Sequence, residues 1–340
     1  MIQQTLSGLL DGRDLTREEA RGVMGEVMVG EATPAQIAGF LVALRAKGET
    51  ADEIAGCAEA MREHVLTVRP ARDDLVDTAG TGGDGAHTFN ISTAAALVAA
   101  AAGAGVAKHG NRAVSSASGS ADVLEALGFE LELPPARIAQ SIDELGFGFL
   151  FAPSHHPAMR HAASVRRELA TRTVFNVLGP LTNPAGARSQ IVGVYAPSLV
   201  RTIAEVLARL GARRAFVVHG AGGVDELSPV GPNLVCEVVG GRLRERTVDP
   251  LDLGIPRCAP DDLRGGTPAE NAAAIRDVFA GADGGRRSSV LLNAAGAIAA
   301  GGLARDLRDG LGLARESLES GAAAERLEQL IAFSRAEAAA

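Results

Sequence analysis

Short runs of β-forming residues alternate with helix-forming segments through most of this chain, and this alternation constrains the fold more than any other feature. The predicted strands are Leu75 to Thr78, Gly105 to His109, Gln190 to Tyr195 and Ala215 to His219. Predicted helices at 92–102, 121–127 and 198–210 lie between them. Strands that alternate with helices are typical of a sheet whose faces are covered by helices. The alternation therefore predicts an α/β fold with a central, mainly parallel sheet.

The chain before residue 70 has a different pattern, with three helix starts in close succession. Thr16 to Glu19, Thr33 to Gln36 and Thr50 to Glu53 each match the capping box, in which two side chains satisfy free backbone donors. Pro70 ends this pattern, since proline disfavours a helix in the residue before it. We therefore expect a small helical domain over 1–69, joined by part of 165–190, and a larger α/β domain over 70–340.

Two further patterns refine the larger domain. The runs Leu234 to Val239 and Leu243 to Val248, joined through Gly240-Gly241, predict a β-hairpin. Thr267 to Glu270 is a fourth capping box and marks another helix start. The alanine-rich stretch after Ser289 predicts closely packed helices near the end of the chain.

Composition and charge narrow the classes of partner. Aromatic residues make up only 3% of the chain, which disfavours an aromatic-lined nucleic-acid surface. The formal net charge of −8 argues against nucleic acids and acidic membranes, because both select a basic surface. The longest apolar run, 94–107, is shorter than the roughly 20 residues of a membrane span. Three dispersed cysteines, Cys57, Cys236 and Cys258, fit a reducing compartment. We expect a cytoplasmic protein.

A glycine-rich segment, Gly80 to Gly85, directly follows the first predicted strand and precedes a predicted helix start. Glycines let backbone amides approach an anion closely, and a helix N-terminus adds free donors. The segment is either a phosphate-binding loop or a tight turn. Its spacing also satisfies the dinucleotide fingerprint, but the next strand ends in Lys108-His109 where that fingerprint requires an acid. A Walker loop is excluded because the chain contains no Gly-Lys dipeptide.

Two stretches of this acidic chain contain almost no acid. Residues 85–121 have no Asp or Glu and include Lys108, Arg112 and two histidines. Residues 153–190 have five arginines and three histidines. Such stretches indicate a positive pocket for a polyanion. The alternative for the first stretch is simple burial, which does not explain its polar segment 108–116.

Polar side chains follow two other predicted strands. The hydroxyls and amides of 108–122 suit a second phosphate group. His109 by itself is more often a packed, hydrogen-bonded histidine than a catalyst. Asp225 and Glu226 follow the strand that ends at His219. Adjacent carboxylates are usually a solvated pair, but at this position they suit Mg²⁺ on a pyrophosphate.

Five motifs in this order resemble the anthranilate phosphoribosyltransferase family over nearly the whole chain. They are Gly80 to Asp84, Asn90 to Thr93, Lys108 to Arg112, His156 to Met159 and Asn176 to Pro184. The resemblance implies transfer of the phosphoribosyl group of phosphoribosyl pyrophosphate to the amine of anthranilate, in tryptophan biosynthesis. It also implies a nucleoside phosphorylase and phosphoribosyltransferase-like fold, an active site between the two domains, two Mg²⁺ ions, and homodimers formed through the helical part.

The resemblance assigns roles residue by residue. Pyrophosphate and ribose would be held by Gly80, Thr81, Gly82, Gly83, Asp84, Thr88, Asn90, Ile91, Ser92 and Thr93. The phosphate cradle would be completed by Lys108, His109, Gly110, Asn111, Arg112, Ala113, Val114, Ser115, Ser116 and Ser120. Mg²⁺ would be bound by Ser92, Asp225 and Glu226. Anthranilate would lie near His109, Asn111, Gly179 and Pro180, with Arg166 paired to its carboxylate, and His109, Asn111 and Arg166 are the candidate catalytic residues.

Two other hypotheses about the function remain open at this point. A pyrimidine-nucleoside phosphorylase would share the scaffold, but it should carry a Lys-x-Ser-Thr-Gly-Gly type of loop in place of Gly80 to Asp84. A non-catalytic relative would keep the fold without the chemistry. Against it stand Arg166, Asp225 and Glu226 and the negative net charge.

Overall fold

The order of the strands brings the ends of five parallel strands side by side. The computed structural model describes residues 1–113 and 117–338. Within them, seven strands form one sheet in the order β3-β2-β1-β4-β5-β6-β7. The strands are β1 (Leu75–Asp77), β2 (Gly105–Gly110), β3 (Phe147–Phe151), β4 (Ser189–Gly193), β5 (Arg214–His219), β6 (Asn233–Val239) and β7 (Arg242–Val248). Strands β1 to β5 are parallel, and β6 and β7 form an antiparallel edge.

Helices cover both faces of this sheet and form the first part of the chain. Before the sheet come α1 (Ile2–Leu10), α2 (Arg17–Met28), α3 (Pro34–Lys47) and α4 (Ala51–Glu63). The middle of the chain contains α5 (Ile91–Ala101), α6 (Ser120–Leu127), α7 (Pro135–Leu145), α8 (Ala152–His155), α9 (Arg160–Leu169), α10 (Phe175–Leu178) and α11 (Leu199–Arg209). The last part contains α12 (Pro268–Phe279), α13 (Gly285–Ala300), α14 (Leu307–Glu319) and α15 (Ala322–Ala338).

The capping signals locate the helix starts correctly. Thr16, Thr33, Thr50 and Thr267 each accept a hydrogen bond from the backbone N–H three residues on, whose own side chain reaches back to the cap. The four predicted helix starts are therefore confirmed. The predicted hairpin is also confirmed, as β6 and β7. One strand, β3, was not predicted, because its sequence FGFLF is a short apolar run with no alternation to separate strand from buried helix.

The helical region shares its apolar core with later parts of the chain. Buried side chains of α2, α3 and α4 form one cluster with Val165 of α9 and Phe175 of α10. The side chain of Arg62, on α4, donates a hydrogen bond from Nε to the carbonyl of Leu181, with a distance of 2.7 Å. The helical region thus borders the segment 179–183. The boundary at 69/70 stays a prediction.

The sheet divides the molecule into two apolar clusters because successive strand residues point to opposite faces. Ile191 and Phe216 belong to the cluster that contains α5, α13 and α14. Val192 and Val217 belong to the other cluster, together with α11 and the N-terminal helices. The predicted architecture, a small helical part beside a larger α/β part, is confirmed.

In the described residues, every helix is too short or too polar to cross a lipid bilayer.

Candidate active site

The strand order reverses between β1 and β4, which are neighbours in the sheet although two strands separate them in sequence. In open α/β sheets, ligands bind outside the carboxyl ends of the strands at such a reversal. A cavity of about 220 Å³ lies there. Its lining comprises Ala79, Gly80, Gly82, Gly83, Asp84, His87, Thr88, Phe89, Asn90, Ile91, Ser92, Lys108, His109, Gly110, Asn111, Ser118, Ser120, Asp225 and Glu226. The segments 80–84, 90–92, 108–111 and 225–226 therefore meet at one place.

The glycine loop after β1 is held against the segment that carries the two adjacent acids. The backbone N–H of Gly82 donates to Oδ2 of Asp225 at 2.7 Å. In return, Oδ2 of Asp84 accepts from the backbone N–H of Asp225 at 3.1 Å. Thr81 points elsewhere, since its hydroxyl accepts from the backbone N–H of Tyr195 at 3.1 Å. Thr81 fixes the loop to the end of β4 and does not line the cavity.

The first turn of α5 presents backbone and hydroxyl groups to the same cavity. The backbone N–H of Ser92 donates to Oε1 of Glu226 at 3.2 Å, and Oγ of Ser92 accepts from Nζ of Lys108 at 3.3 Å. Thr93 is fully buried, and its hydroxyl has no partner among the described residues. Helix N-termini bind anions through such free donors.

Lys108 brings its charge to the cavity from inside the sheet. It lies on β2, its side chain is 1% exposed, and Nζ also donates to Oγ1 of Thr78 at 3.0 Å. Burial lowers the pKa of Lys108, while the nearby carboxylates of Asp77 and Glu226 favour its charged form. A buried ammonium of this kind can bind an anion in the cavity.

The acids opposite Lys108 are crowded. Burial raises the pKa of Asp225 to about 7, and the neighbouring Asp84 carboxylate adds to the effect. Burial also raises the pKa of Glu226 well above its ordinary value, followed by repulsion from Asp225. Buried acids that repel one another are stabilised by a bound cation.

The chemistry of the donor set decides which cation fits. The described residues contain no group of three or more His, Cys, Asp or Glu side chains arranged around a metal position. Mg²⁺ does not need such a cage, because it takes one or two carboxylates and completes its shell with water and substrate phosphates. Asp225, Glu226 and the hydroxyl of Ser92 are hard oxygen donors at one wall of the cavity, so they fit Mg²⁺.

The segment after Lys108 divides between the cavity and the surface. Asn111 lines the cavity, and its backbone N–H donates to Oγ of Ser120 at 3.1 Å. Arg112 is directed outward, where its guanidinium pairs with Asp122 at 3.1 Å and Glu125 at 2.8 Å. Neither Arg112 nor Ala113 lines the cavity. Val114, Ser115 and Ser116 lie outside the described residues.

His109 is held through both nitrogens of its ring. Nδ1 lies 3.0 Å from the carbonyl oxygen of Gly179, which can only accept, so this nitrogen carries the proton. Nε2 lies 3.2 Å from Nε2 of His156, which then donates to it. Burial lowers the pKa of His109 to about 3, and that of His156 to about 4. Both rings are therefore neutral, and His109 is suited to orient a ligand.

Gly179 and Pro180, two of the predicted acceptor residues, lie next to His109, which lines the cavity. Gly179 contacts His109, and the carbonyl of Pro180 accepts from Nε2 of Gln190 at 2.8 Å. Arg166, on α9, has its Cζ 5.1 Å from the ring centre of Phe175, and its guanidinium has no ion-pair or hydrogen-bond partner among residues 1–113 and 117–338. Its surroundings lower its pKa by desolvation, although the side chain reaches solvent. An unpaired guanidinium fits a carboxylate ligand.

Several residues at the site have no signal in the sequence. Nδ2 of Asn271, on α12, donates to Oδ1 of Asn90 at 2.8 Å and so orients the Asn90 amide. Gly193 ends β4, and a Cβ built on it would lie 1.4 Å from the carbonyl oxygen of Asp225. Only glycine permits this approach. Both contacts join segments far apart in sequence, so no local motif reveals them.

Two other clefts, of about 390 and 630 Å³, are larger than the cavity. They lie on the surface within segments 262–286 and 279–321. Neither contains a residue of the five motifs, and we assign the site to the cavity at the strand ends.

Comparison with known proteins agrees with this geometry. Residues 3–65 match the helical bundle domain of a glycosyl transferase family, and residues 72–324 match the a/b domain of the same family. These matches confirm the predicted enzyme class, a glycosyltransferase, for both parts of the chain.

Individual relatives are similar over almost their whole length. An anthranilate phosphoribosyltransferase of Anaeromyxobacter sp. (strain K) is 56% identical over 98% of both chains, and one of Moorella thermoacetica is 52% identical over 98% of both. A crystal structure of the Thermus thermophilus enzyme covers 97% of this chain and 99% of its own, with 50% identity and a TM-score of 0.92. The Saccharomyces cerevisiae enzyme in complex with PRPP and Mg is 27% identical over 98% of both chains, with a TM-score of 0.89. The resemblance inferred from the five motifs is thereby confirmed, and the chain belongs to the anthranilate phosphoribosyltransferase family.

Proposed function

We propose that this cavity transfers the phosphoribosyl group of phosphoribosyl pyrophosphate to the amine of anthranilate. The products are N-(5-phosphoribosyl)anthranilate and pyrophosphate, and the step belongs to tryptophan biosynthesis. One observation carries the proposal: backbone donors, a buried ammonium, and two acids suited to Mg²⁺ meet in one cavity at the carboxyl ends of the strands. The relatives at 52–56% identity with this name, and the yeast complex with PRPP and Mg, support it.

The donor subsite is formed by the glycine loop and the start of α5. The backbone N–H groups of Gly82 and Ser92 are oriented to donate to anions, since each donates to a carboxylate in this structure. The same cavity is lined by Gly80, Gly83, Thr88, Asn90 and Ile91. Pyrophosphate oxygens would take these donors, and Lys108 would balance part of their charge.

Magnesium would be held by Asp225, Glu226 and Ser92, and we propose two ions for each site. When bound, Mg²⁺ neutralises charge on the pyrophosphate as the bond to the sugar breaks. The residues of the chain itself contribute preorganised donors around the leaving group, and such electrostatic stabilisation is usually the largest catalytic contribution.

The acceptor subsite would lie between His109, Asn111, Gly179 and Pro180. Arg166 would pair with the anthranilate carboxylate, since its planar fork matches two carboxylate oxygens. The aniline-type nitrogen is neutral and can lose its proton after the new bond forms, so no strong base is required. His109, with both ring nitrogens engaged, would orient the ring of the acceptor.

The decisive experiment follows the fluorescence of anthranilate in a mixture of protein, Mg²⁺ and phosphoribosyl pyrophosphate. We expect the fluorescence to decay, with pyrophosphate released in equal amount. A constant signal from folded protein would contradict the proposal. Inorganic phosphate with a pyrimidine nucleoside is the matched control, because cleavage of that mixture would indicate a phosphorylase.

We further propose a cytoplasmic homodimer formed through the helical region. Leu10 on α1 is 77% exposed and Val42 on α3 is 46% exposed, on two helices that pack together. Exposed apolar side chains on neighbouring helices favour a protein interface. Light scattering on purified protein would measure twice the 34.8 kDa of one chain.

The proposed cytoplasmic location has its own support. The free thiols of Cys57, Cys236 and Cys258 suit a reducing compartment, and cell fractionation tests that location.

A further inference from the structure

A buried carboxylate beneath the cavity has no part in the reaction described above. Asp77 is the last residue of β1, and its side chain is 0% exposed. Its Oδ1 accepts hydrogen bonds from the backbone N–H groups of Ala79 and His109, each at 3.1 Å. Its Oδ2 accepts from Nδ2 of Asn183 at 2.7 Å. One side chain thus binds three segments of the chain.

Each of the three partners lies in a segment of the proposed site or directly beside one. Ala79 begins the glycine loop, and His109 contacts Gly179. Asn183 ends the segment that contains Gly179 and Pro180. The amide of Asn183 is itself fixed, since Nδ2 also donates to the carbonyl of Ala107 at 2.8 Å and Oδ1 accepts from the N–H of Ala185 at 2.8 Å.

Burying a carboxylate costs free energy compared with burying an apolar side chain. Removing a charge from water is strongly unfavourable, and an apolar side chain of similar size is often as stable. Burial raises the pKa of Asp77, and the nearby ammonium of Lys108 opposes that rise. Ala79, His109 and Asn183 all donate N–H groups to the carboxyl oxygens, an arrangement that favours the ionised form. The negative charge does provide three hydrogen bonds that are stronger than those of a neutral acceptor. These hydrogen bonds fix the three segments relative to one another.

We propose that Asp77 is a positioning residue that holds the donor and acceptor subsites in register. The proposal rests on the function assigned above, which places phosphoribosyl pyrophosphate on the glycine loop and anthranilate against His109 and 179–183. A bond-forming step requires the reacting atoms about 3–3.5 Å apart, and a displacement of about 1 Å lowers the rate about a hundredfold. Asp77 contacts residues of both subsites and is itself 0% exposed, so it would act through the backbone N–H groups of Ala79 and His109 and the side-chain amide of Asn183.

The first test is Asp77→Asn with kcat and both KM values measured. The remaining carboxamide oxygen can still accept from Ala79 and His109, but its NH₂ group faces Nδ2 of Asn183, which is also a donor. We expect kcat to fall about ten- to a hundredfold, which corresponds to one lost charge-assisted hydrogen bond. The KM for anthranilate should rise, and the KM for phosphoribosyl pyrophosphate should change less than about threefold.

The second test restores the contact. Adding Asn183→Asp to Asp77→Asn returns one donor and one acceptor to this pair and keeps the net charge. We expect the double variant to recover about threefold or more of the lost kcat. Recovery is incomplete because the carbonyl of Ala107 loses its donor. A role in stability alone would not produce such a rescue of kcat.

Glu53→Gln is the matched control. Glu53 is also fully buried, and it joins three segments of the helical region through Leu15, Lys47 and Thr50. We expect this variant to melt at a lower temperature with unchanged kcat and KM. If Asp77→Asn does not fold, Asn183→Ala removes the Oδ2 contact together with the contacts to Ala107 and Ala185, leaves Asp77 in place, and should lower kcat in the same way.

The outcomes separate this proposal from the proposed function. An inactive wild-type protein would overturn the function itself. An active wild type with kcat of Asp77→Asn within about threefold, or with no recovery in the double variant, would overturn the role of Asp77 alone.

Discussion

Buried charge is paired in the helical region, whereas like charges crowd together at the carboxyl edge of the sheet. In the helical region, the buried Glu53 accepts from two backbone N–H groups and pairs with Lys47 at 3.0 Å. At the edge of the sheet, Asp84, Asp225 and Glu226 crowd together, and on α9 the guanidinium of Arg166 has no ion-pair or hydrogen-bond partner among the described residues. Balanced charge therefore marks the part that stabilises the fold, and unbalanced charge marks the part that binds substrate.

The largest expected effect tests the acids at the edge of the sheet. Asp225→Asn retains an acceptor for the N–H of Gly82 but removes a charge from the proposed Mg²⁺ site. We expect kcat/KM to fall by about two to three orders of magnitude, since a metal contributes several kcal/mol of charge stabilisation. Thermal melting without Mg²⁺ should occur at the same or a higher temperature, because crowding of like charges is relieved. Unchanged turnover, or a clear loss of stability, would show that this acid is structural.

Lys47→Met tests the paired charges of the helical region, where we expect a loss of stability without a loss of activity. It leaves Glu53 buried with only its backbone donors, and breaking a buried pair costs about 3 kcal/mol. Urea denaturation should show this loss of unfolding free energy, while kcat and both KM values stay at their wild-type level. A large change in KM would mean that the charges of the two regions are not separate. Arg13→Met, which removes an exposed ion pair with Glu19, is the control and should have little effect.

Arg166→Ala tests the unpaired cation. Loss of one charge-assisted contact should raise the KM for anthranilate about ten- to a hundredfold, with a much smaller change for phosphoribosyl pyrophosphate. Arg167→Ala, at the next position of α9, is the matched control and should leave both KM values near wild type. Equal effects on the two substrates would remove Arg166 from the acceptor subsite.

The smallest expected effect concerns a helix cap. Thr33 caps α3 through its hydroxyl, which accepts from the N–H of Gln36 at 3.3 Å. Thr33→Ala should lower the unfolding free energy by about 1 kcal/mol and leave turnover unchanged. Thr33→Ser is the control that keeps the hydroxyl and should melt close to the wild type. A loss of activity at constant stability would contradict the contrast between the two regions.

The sequence predicts those parts of the fold whose signals are local. The four capping boxes and the Gly240-Gly241 hairpin act within a few residues, and all five are found in the structure. Strand β3 was not predicted, because the neighbouring β2 and helix α7 decide its conformation. The sheet order, with β1 beside β4, also depends on contacts distant in sequence.

The residues of the candidate site also divide into those with a local signal in the sequence and those without one. Gly80 to Asp84, Lys108 and Asp225 could be selected from the sequence, because each belongs to a motif whose chemistry is visible in its own residues. Asp77, Asn183, Gly193 and Asn271 could not, because they act on segments far away in the chain. Arg112 is the reverse case: the motif predicts a phosphate contact, whereas its guanidinium pairs with Asp122 and Glu125. The assignment of Arg112 to phosphate stays a prediction.

The alternation of side chains along β4 and β5 also limits how this chain can be divided or extended. Val192 and Val217 are covered by the same apolar cluster as the N-terminal helices, so a fragment that begins at residue 70 would expose part of that surface to water. The fragment 1–69 would expose the complementary face. Fusion partners and inserted epitopes are therefore best placed at the β6–β7 turn, where Gly240 and Gly241 are both at the surface.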